Sequence, residues 1–167
     1  MSYRIGILGC GTIGSELVAA IEDGTAGNAT VSSLYDRNPE RAEHLASSVK
    51  DPADLALVDA PEPLIENADI VVEAAGQSAV HSVAVPTLEA DKDLMIMSVG
   101  AFANEELLET AFAAAEDGEG RLYVPSGAIA GLDAVKAASI EGIDDVELTT
   151  RKPPGGLEGA PYVESND

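Results

Sequence analysis

The feature that most limits what this chain can fold into is a short glycine pattern near its start. Gly9-Cys10-Gly11-Thr12-Ile13-Gly14 follows the apolar run 4–8 and opens an apolar-periodic segment, which places a GxGxxG between a strand and a helix. Each glycine meets a separate need of a dinucleotide site. Gly9 lets the backbone turn sharply, Gly11 lets a pyrophosphate approach the main chain, and Gly14 lets the helix pack closely on the strand. The N–H groups at the helix start are then free to hold the phosphates. An ordinary strand-to-helix turn can carry the same letters, and Asp36 separates the two readings. It ends the strand-like run 31–35 about 20 residues beyond the motif, where a carboxylate is expected to hydrogen-bond the adenosine ribose. Asp36 repels a 2'-phosphate while the adjacent Arg37 could accept one, so NAD and NADP both stay open as the cofactor.

Alternation of strands and helices continues through residue 124. A helix is predicted over 12–23, with Ile13, Leu17, Val18 and Ile21 on one face and Gly24 at its end. Asn38 caps a second helix, Pro39 takes its first turn, and it runs to about Ser48. Residues 51–63, with Pro52, Pro61 and Pro63 among scattered acids, read as a loop with one helical turn at most. A strand over 70–74, apolar except for Glu73, is followed by a helix over 78–89 and a strand over 94–97. Asn104 caps the next helix, with Glu105 and Glu106 against the positive end of its dipole, and 121–124 reads as a further strand. This spacing predicts an α/β fold, a doubly wound Rossmann-type parallel sheet over residues 1–124.

From Pro125 the pattern changes. A loop of small residues, 126–131, leads into a helix over 132–140, 146–151 alternates like a strand, and the tail is rich in proline and glycine. One strand and one helix bury too little to stand alone. Residues 125–167 are therefore expected to be the start of an incomplete α/β substrate domain.

Charge and composition narrow the function classes. Thirty acidic residues against nine basic ones give a formal charge of -21, which makes nucleic acid and anionic membrane surfaces poor partners. The acids are dispersed among alanine-rich apolar segments, and the lysines are confined to Lys50, Lys92, Lys136 and Lys152, a surface expected of a halophilic protein. No apolar stretch is long enough to span a bilayer and no signal pattern opens the chain, so a cytoplasmic protein is expected. Cys10 is the single cysteine, which excludes an internal disulfide and a thiolate metal cluster, and no metal site is predicted.

Four segments resemble the L-aspartate dehydrogenase family of archaea and bacteria: GILGCGTIG at 6–14, EAAGQSAV at 73–80, MSVGAF at 97–102, and PSGAIAGLDAV at 125–135 continuing to TTRKPP at 149–154. The resemblance implies oxidation of L-aspartate to iminoaspartate with NAD or NADP, serving NAD biosynthesis. It implies a Rossmann domain followed by a substrate domain that also forms a homodimer. Carried over by position, it places Gly9, Gly11, Thr12, Ile13 and Gly14 on the pyrophosphate and Asp36 on the ribose. Ala75, Gly76 and Gln77 would lie along the cofactor, at a strand end where open sheets bind ligands. Ala128 matches a position that touches the nicotinamide half through its backbone. Arg151 and Lys152 are candidates for holding the dicarboxylate substrate, since an arginine fork matches a carboxylate.

The departure from the family is as informative. Its members continue for ~100 residues more, the size of an ordinary domain, through a cofactor-binding asparagine and the catalytic histidine. His44 and His81 fall on predicted helices of the nucleotide domain and match no catalytic position, so no catalytic residue is assigned and the chain alone is expected to be weak or inactive. A non-catalytic NAD(P)-binding module is the alternative of a different class. Homoserine dehydrogenase and dihydrodipicolinate reductase share the nucleotide fold but not the pairing of PSGAIAGLD with TRKPP.

Overall fold

The run before the glycine motif forms β1 (Tyr3–Leu8), exposed at Tyr3 and Arg4 and buried over 6–8. Ile7 points into one layer and Leu8 into the other, so the carboxyl-terminal half of the strand has no solvent face, which is why it is apolar. A computed structural model describes residues 2–127, 129–149, 151 and 153. After β1 come α1 (Thr12–Glu22), β2 (Ala29–Tyr35), α2 (Pro39–Ala46), β3 (Ala56–Leu57), α3 (Pro61–Glu66) and β4 (Ile70–Glu73). Then follow α4 (Gln77–Glu89), β5 (Asp93–Ile96), α5 (Glu105–Asp117), β6 (Leu122–Tyr123) and α6 (Leu132–Ala138).

The strands form one parallel six-stranded sheet in the order β3-β2-β1-β4-β5-β6. Strand order reverses between β1 and β4, and the crevice at that reversal is where a doubly wound sheet receives its ligand. On one side, Val18 and Ile21 of α1 and Leu45 of α2 pack with Ile7 and Leu34. On the other, Leu64 of α3, Val80 and Leu88 of α4 and Ala111 of α5 pack with Leu8, Val71 and Leu94. The predicted fold class is what forms.

Two expectations need correction. The stretch 51–63 is not merely a loop: a 3-10 turn over Pro52–Asp54, the edge strand β3 and the helix α3 lie there or start there. Proline at the first helical position needs no intrahelical acceptor, so Pro61 starts α3 rather than preventing it, and Leu64 and Ile65 are buried beneath. The second correction concerns 146–151, where no strand is found among the described residues. Val146 and Leu148 are 59% and 66% exposed, and an alternating sequence becomes a strand only where another strand accepts its hydrogen bonds.

The chain divides into two compact units, Met1–Gly127 and Ala128–Asp167. The second holds α6, entered through Gly131 in the left-handed conformation at φ 84°. None of its described residues is buried.

Candidate functional site

The three motif glycines meet different demands once the chain is folded. Gly9 sits at φ 102°, and a Cβ there would lie 2.6 Å from the Ala75 nitrogen, so its absence lets the motif press against the loop after β4. A Cβ on Gly14 would collide with the carbonyl oxygen of Gly9, so α1 can start this close to the turn only with glycine there. Gly11 differs from both. Its φ of -85° is open to any residue, and a Cβ on it would meet nothing within 4 Å. The protein itself does not require glycine at that position; a group approaching from outside would.

What approaches would meet donors. The first-turn N–H groups of Thr12, Ile13 and Gly14 have no acceptor within the helix, Gly11 offers no side-chain cap, and no acidic residue lies in the first turn. Thr12 and Ile13 are exposed, Ile13 by 48%. The donor set and the open face at Gly11 together fit a pyrophosphate. Cys10 points inward, and burial, reinforced by the Asp36 charge, pushes its thiol up to about 12, which leaves it a packed apolar group.

Asp36 follows β2 and ties two turns together. One carboxylate oxygen accepts the Cys10 N–H at 2.8 Å and the other the Asn38 N–H at 2.8 Å. Each oxygen keeps a second lone pair, so the group can still accept from a hydroxyl. Beside it opens a hollow of about 390 Å³ whose lining includes Asp36, Arg37, Arg41, Ala75, Ser78 and Ser82. Among the described residues the ion pair found is Arg4 with Asp69, so neither Arg37 nor Arg41 has a carboxylate partner there. Arg41, Ser78 and Ser82 were not singled out from sequence. The signal available was a second arginine, Arg41, in the first turn of the helix that follows Arg37.

Across the crevice, Ala75 and Gly76 form the turn between β4 and α4, with Gly76 at φ 137°. Their N–H groups are taken by the Glu73 carboxylate at 2.8 Å each. Gln77 opens α4, and its side-chain amide fills the space where a Cβ on Gly100 would stand. Glu73 is a residue that motif reasoning passed over, although a single charge ending an otherwise apolar, doubly covered strand was the available sign. His44 and His81 are both exposed, on α2 and α4. The structure thus brings together Gly9, Gly11, Thr12, Ile13, Gly14, Asp36, Arg37, Ala75, Gly76 and Gln77 at the carboxyl end of the sheet. Arg151 is exposed in the second unit, whereas Ala128 and Lys152 lie outside the described residues.

Comparison with known proteins agrees with this layout. Residues 9–125 match the family described as the homoserine dehydrogenase NAD-binding domain. An L-aspartate dehydrogenase from Methanocella arvoryzae is 50% identical over 99% of this chain and 60% of its own length. One from Methanosarcina barkeri is 44% identical over 97% of this chain and 59% of its own length. The chain thus spans about three fifths of the curated relatives it matches. Among solved structures, aspartate dehydrogenase from Thermotoga maritima superposes with a TM-score of 0.55 at 27% identity, over 82% of this chain and 51% of that one. The WlbA dehydrogenase from Bordetella pertussis, solved with NADH and UDP-GlcNAcA, gives 0.66 at 21% identity over 84% of this chain and 40% of that one, a likeness of fold. With the glycine motif, the switch-point crevice and the matched span all in one place, the chain belongs to the family of the homoserine dehydrogenase NAD-binding domain, and L-aspartate dehydrogenases are its homologues over nearly its whole length.

Proposed function

We propose that this chain supplies the cofactor-binding part of an NAD(P)-dependent enzyme that oxidises L-aspartate to iminoaspartate. The observation that carries the reading is Gly11, a glycine that the fold does not need, facing open space beside unpaired helix-start N–H groups. L-aspartate is preferred to homoserine as substrate because the relatives of 44–50% identity extend through the segment after residue 125, beyond the matched nucleotide domain.

In this reading Gly9 and Gly14 shape the turn, and the N–H groups of Thr12, Ile13 and Gly14 hold the pyrophosphate. Asp36 accepts from the adenosine ribose, and Arg37 stands where a 2'-phosphate would be received. Ala75, Gly76 and Gln77 wall the crevice. Bound NAD or NADP supplies the hydride acceptor. Ala128 is assigned to the nicotinamide half, Arg151 and Lys152 to the substrate carboxylates, and no general base is assigned among residues 1–167. Residues 125–167 are read as the beginning of a substrate and dimerisation domain, in a cytoplasmic enzyme. Among the described residues no helix is long and apolar enough to cross a membrane.

Titrating NADH fluorescence against the chain and its Gly11→Ala variant tests the reading. The added methyl should weaken binding about tenfold while stability changes by less than the ~1 kcal/mol of an ordinary helix cap. Equal affinities, or no binding by the unmodified chain, would overturn it.

A further inference from the structure

At the end of β4 a carboxylate is sealed from solvent with no cation beside it. Glu73 is 0% exposed, and the ion pair found among the described residues lies elsewhere. A carboxylate persists in such a place only where hydrogen bonds replace its water. One oxygen accepts the N–H groups of Ala75 and Gly76 and the Ser98 hydroxyl at 2.9 Å; the other accepts the Ser98 N–H at 3.0 Å. All four donors belong to two connections, the turn between β4 and α4 and the segment leaving β5.

An apolar side chain of similar volume would pack the core without these constraints. The carboxylate is therefore required by the loops it holds rather than by the layer it is buried in. Those loops border the crevice. Ala75 lines the hollow beside Asp36, Gly9 presses on the Ala74–Ala75 peptide, and Gly76 heads α4 with no side chain to cap it. A shift of this turn would move the wall of the crevice and the support of the glycine motif together.

We propose that Glu73 is a positioning residue for the cofactor, joined to Ser98 so that the walls contributed by β4 and β5 keep one fixed geometry. The proposal rests on the dinucleotide reading of the crevice. The test is NADH titration of the 167-residue chain alongside Glu73→Gln, Ser98→Ala, Ser98→Thr and Leu88→Ala, with folding followed by circular dichroism. Leu88 is fully buried in α4 and takes part in none of the four hydrogen bonds to Glu73, so Leu88→Ala reports what lost stability alone does to binding.

Glu73→Gln turns an amide donor toward donors and should raise Kd about tenfold or more. Ser98→Ala should raise it about threefold, while Ser98→Thr, which keeps the hydroxyl, and Leu88→Ala stay within about twofold of the unmodified chain. Should Glu73→Gln fail to fold, the contrast between Ser98→Ala and Ser98→Thr decides. Unchanged affinity in folded Glu73→Gln, no difference between the two Ser98 variants, or an equal loss in Leu88→Ala would overturn the proposal. Failure of the unmodified chain to bind NADH is a separate result, which overturns the dinucleotide reading and this role with it.

Discussion

Two carboxylates flank the glycine motif, and they use the same device for different ends. Asp36 after β2 and Glu73 at the end of β4 each accept main-chain N–H groups from their own following turn and from a neighbouring strand's connection. Asp36 is half-buried, binds one N–H per oxygen and borders an open hollow; Glu73 is sealed and receives four donors. The half-buried carboxylate faces a hollow from which a ligand can reach its free lone pairs, whereas the sealed one is closed to any ligand and serves the scaffold. Donor count together with access to the crevice therefore distinguishes a strand-end carboxylate open to a ligand from one closed inside the scaffold.

The largest effect expected around this pair belongs to the glycine on which the Asp36 side depends. Gly14→Val forces a side chain onto the Gly9 carbonyl, a backbone atom that cannot yield without moving the turn. The cost should be about 3 kcal/mol, a fall in Tm of about 6–12 °C for a domain of this size, with NADH binding lost as well. Calorimetry of the variant checks it. A melting temperature within a degree of the unmodified chain would show that the tight approach at Gly14 is not what fixes the motif.

Next in size is Asp36→Ala, which sharpens the comparison by removing the carboxylate with spare capacity. NAD affinity should fall about tenfold and NADP affinity by less, since the lost charge opposed the extra phosphate. Parallel titrations of the two cofactors read it directly. Equal losses would mean that Asp36, like Glu73, serves only the turns.

Why one carboxylate was legible in sequence and the other was not follows from what each interacts with. Asp36 stands at the spacing that the glycine-motif fingerprint calls for, so counting from Gly14 finds it. Glu73 answers the donors of Ala75, Gly76 and Ser98, whose convergence exists only after β4 and β5 pair. The inner strands of the sheet were readable, unlike the edge strand β3, because burial on both faces leaves a continuous apolar run, as at 70–72 of β4. Helix α3 was obscured by Pro61 and Pro63, which read as breakers although both lie in a first turn where no N–H is required. The alternation at 146–151 failed the other way: local pattern was present, and no pairing strand is found among the described residues.

A smaller effect is expected from Arg41→Ala, on the rim of the hollow beside Asp36. Arg41 has no carboxylate partner among the described residues, so its charge is available to a phosphate. NADP binding should weaken about threefold and NAD binding stay within about twofold. A shift of NAD alone would place the adenine, not the phosphate, against this side chain.

The smallest effect per residue concerns carboxylates unlike either of the pair, those on the surface that hold no loop. With -21 net charge, each repels the others weakly, and the sum is what salt can remove. The Debye length falls from about 30 Å at 0.01 M to about 3 Å at 1 M, so repulsion between separated surface acids is screened over that range. The bonds at Glu73, shut away from ions, are not. Melting in rising KCl should therefore climb, by about 2–4 °C for each kcal/mol of relieved repulsion. The affinity loss of Glu73→Gln should meanwhile remain the same factor at every salt concentration at which NADH binding is measured against the unmodified chain. A flat melting profile would show that the dispersed acids do not destabilise this fold. A Glu73→Gln deficit that vanished in 1 M KCl would show that its effect is one of net charge rather than of the four hydrogen bonds.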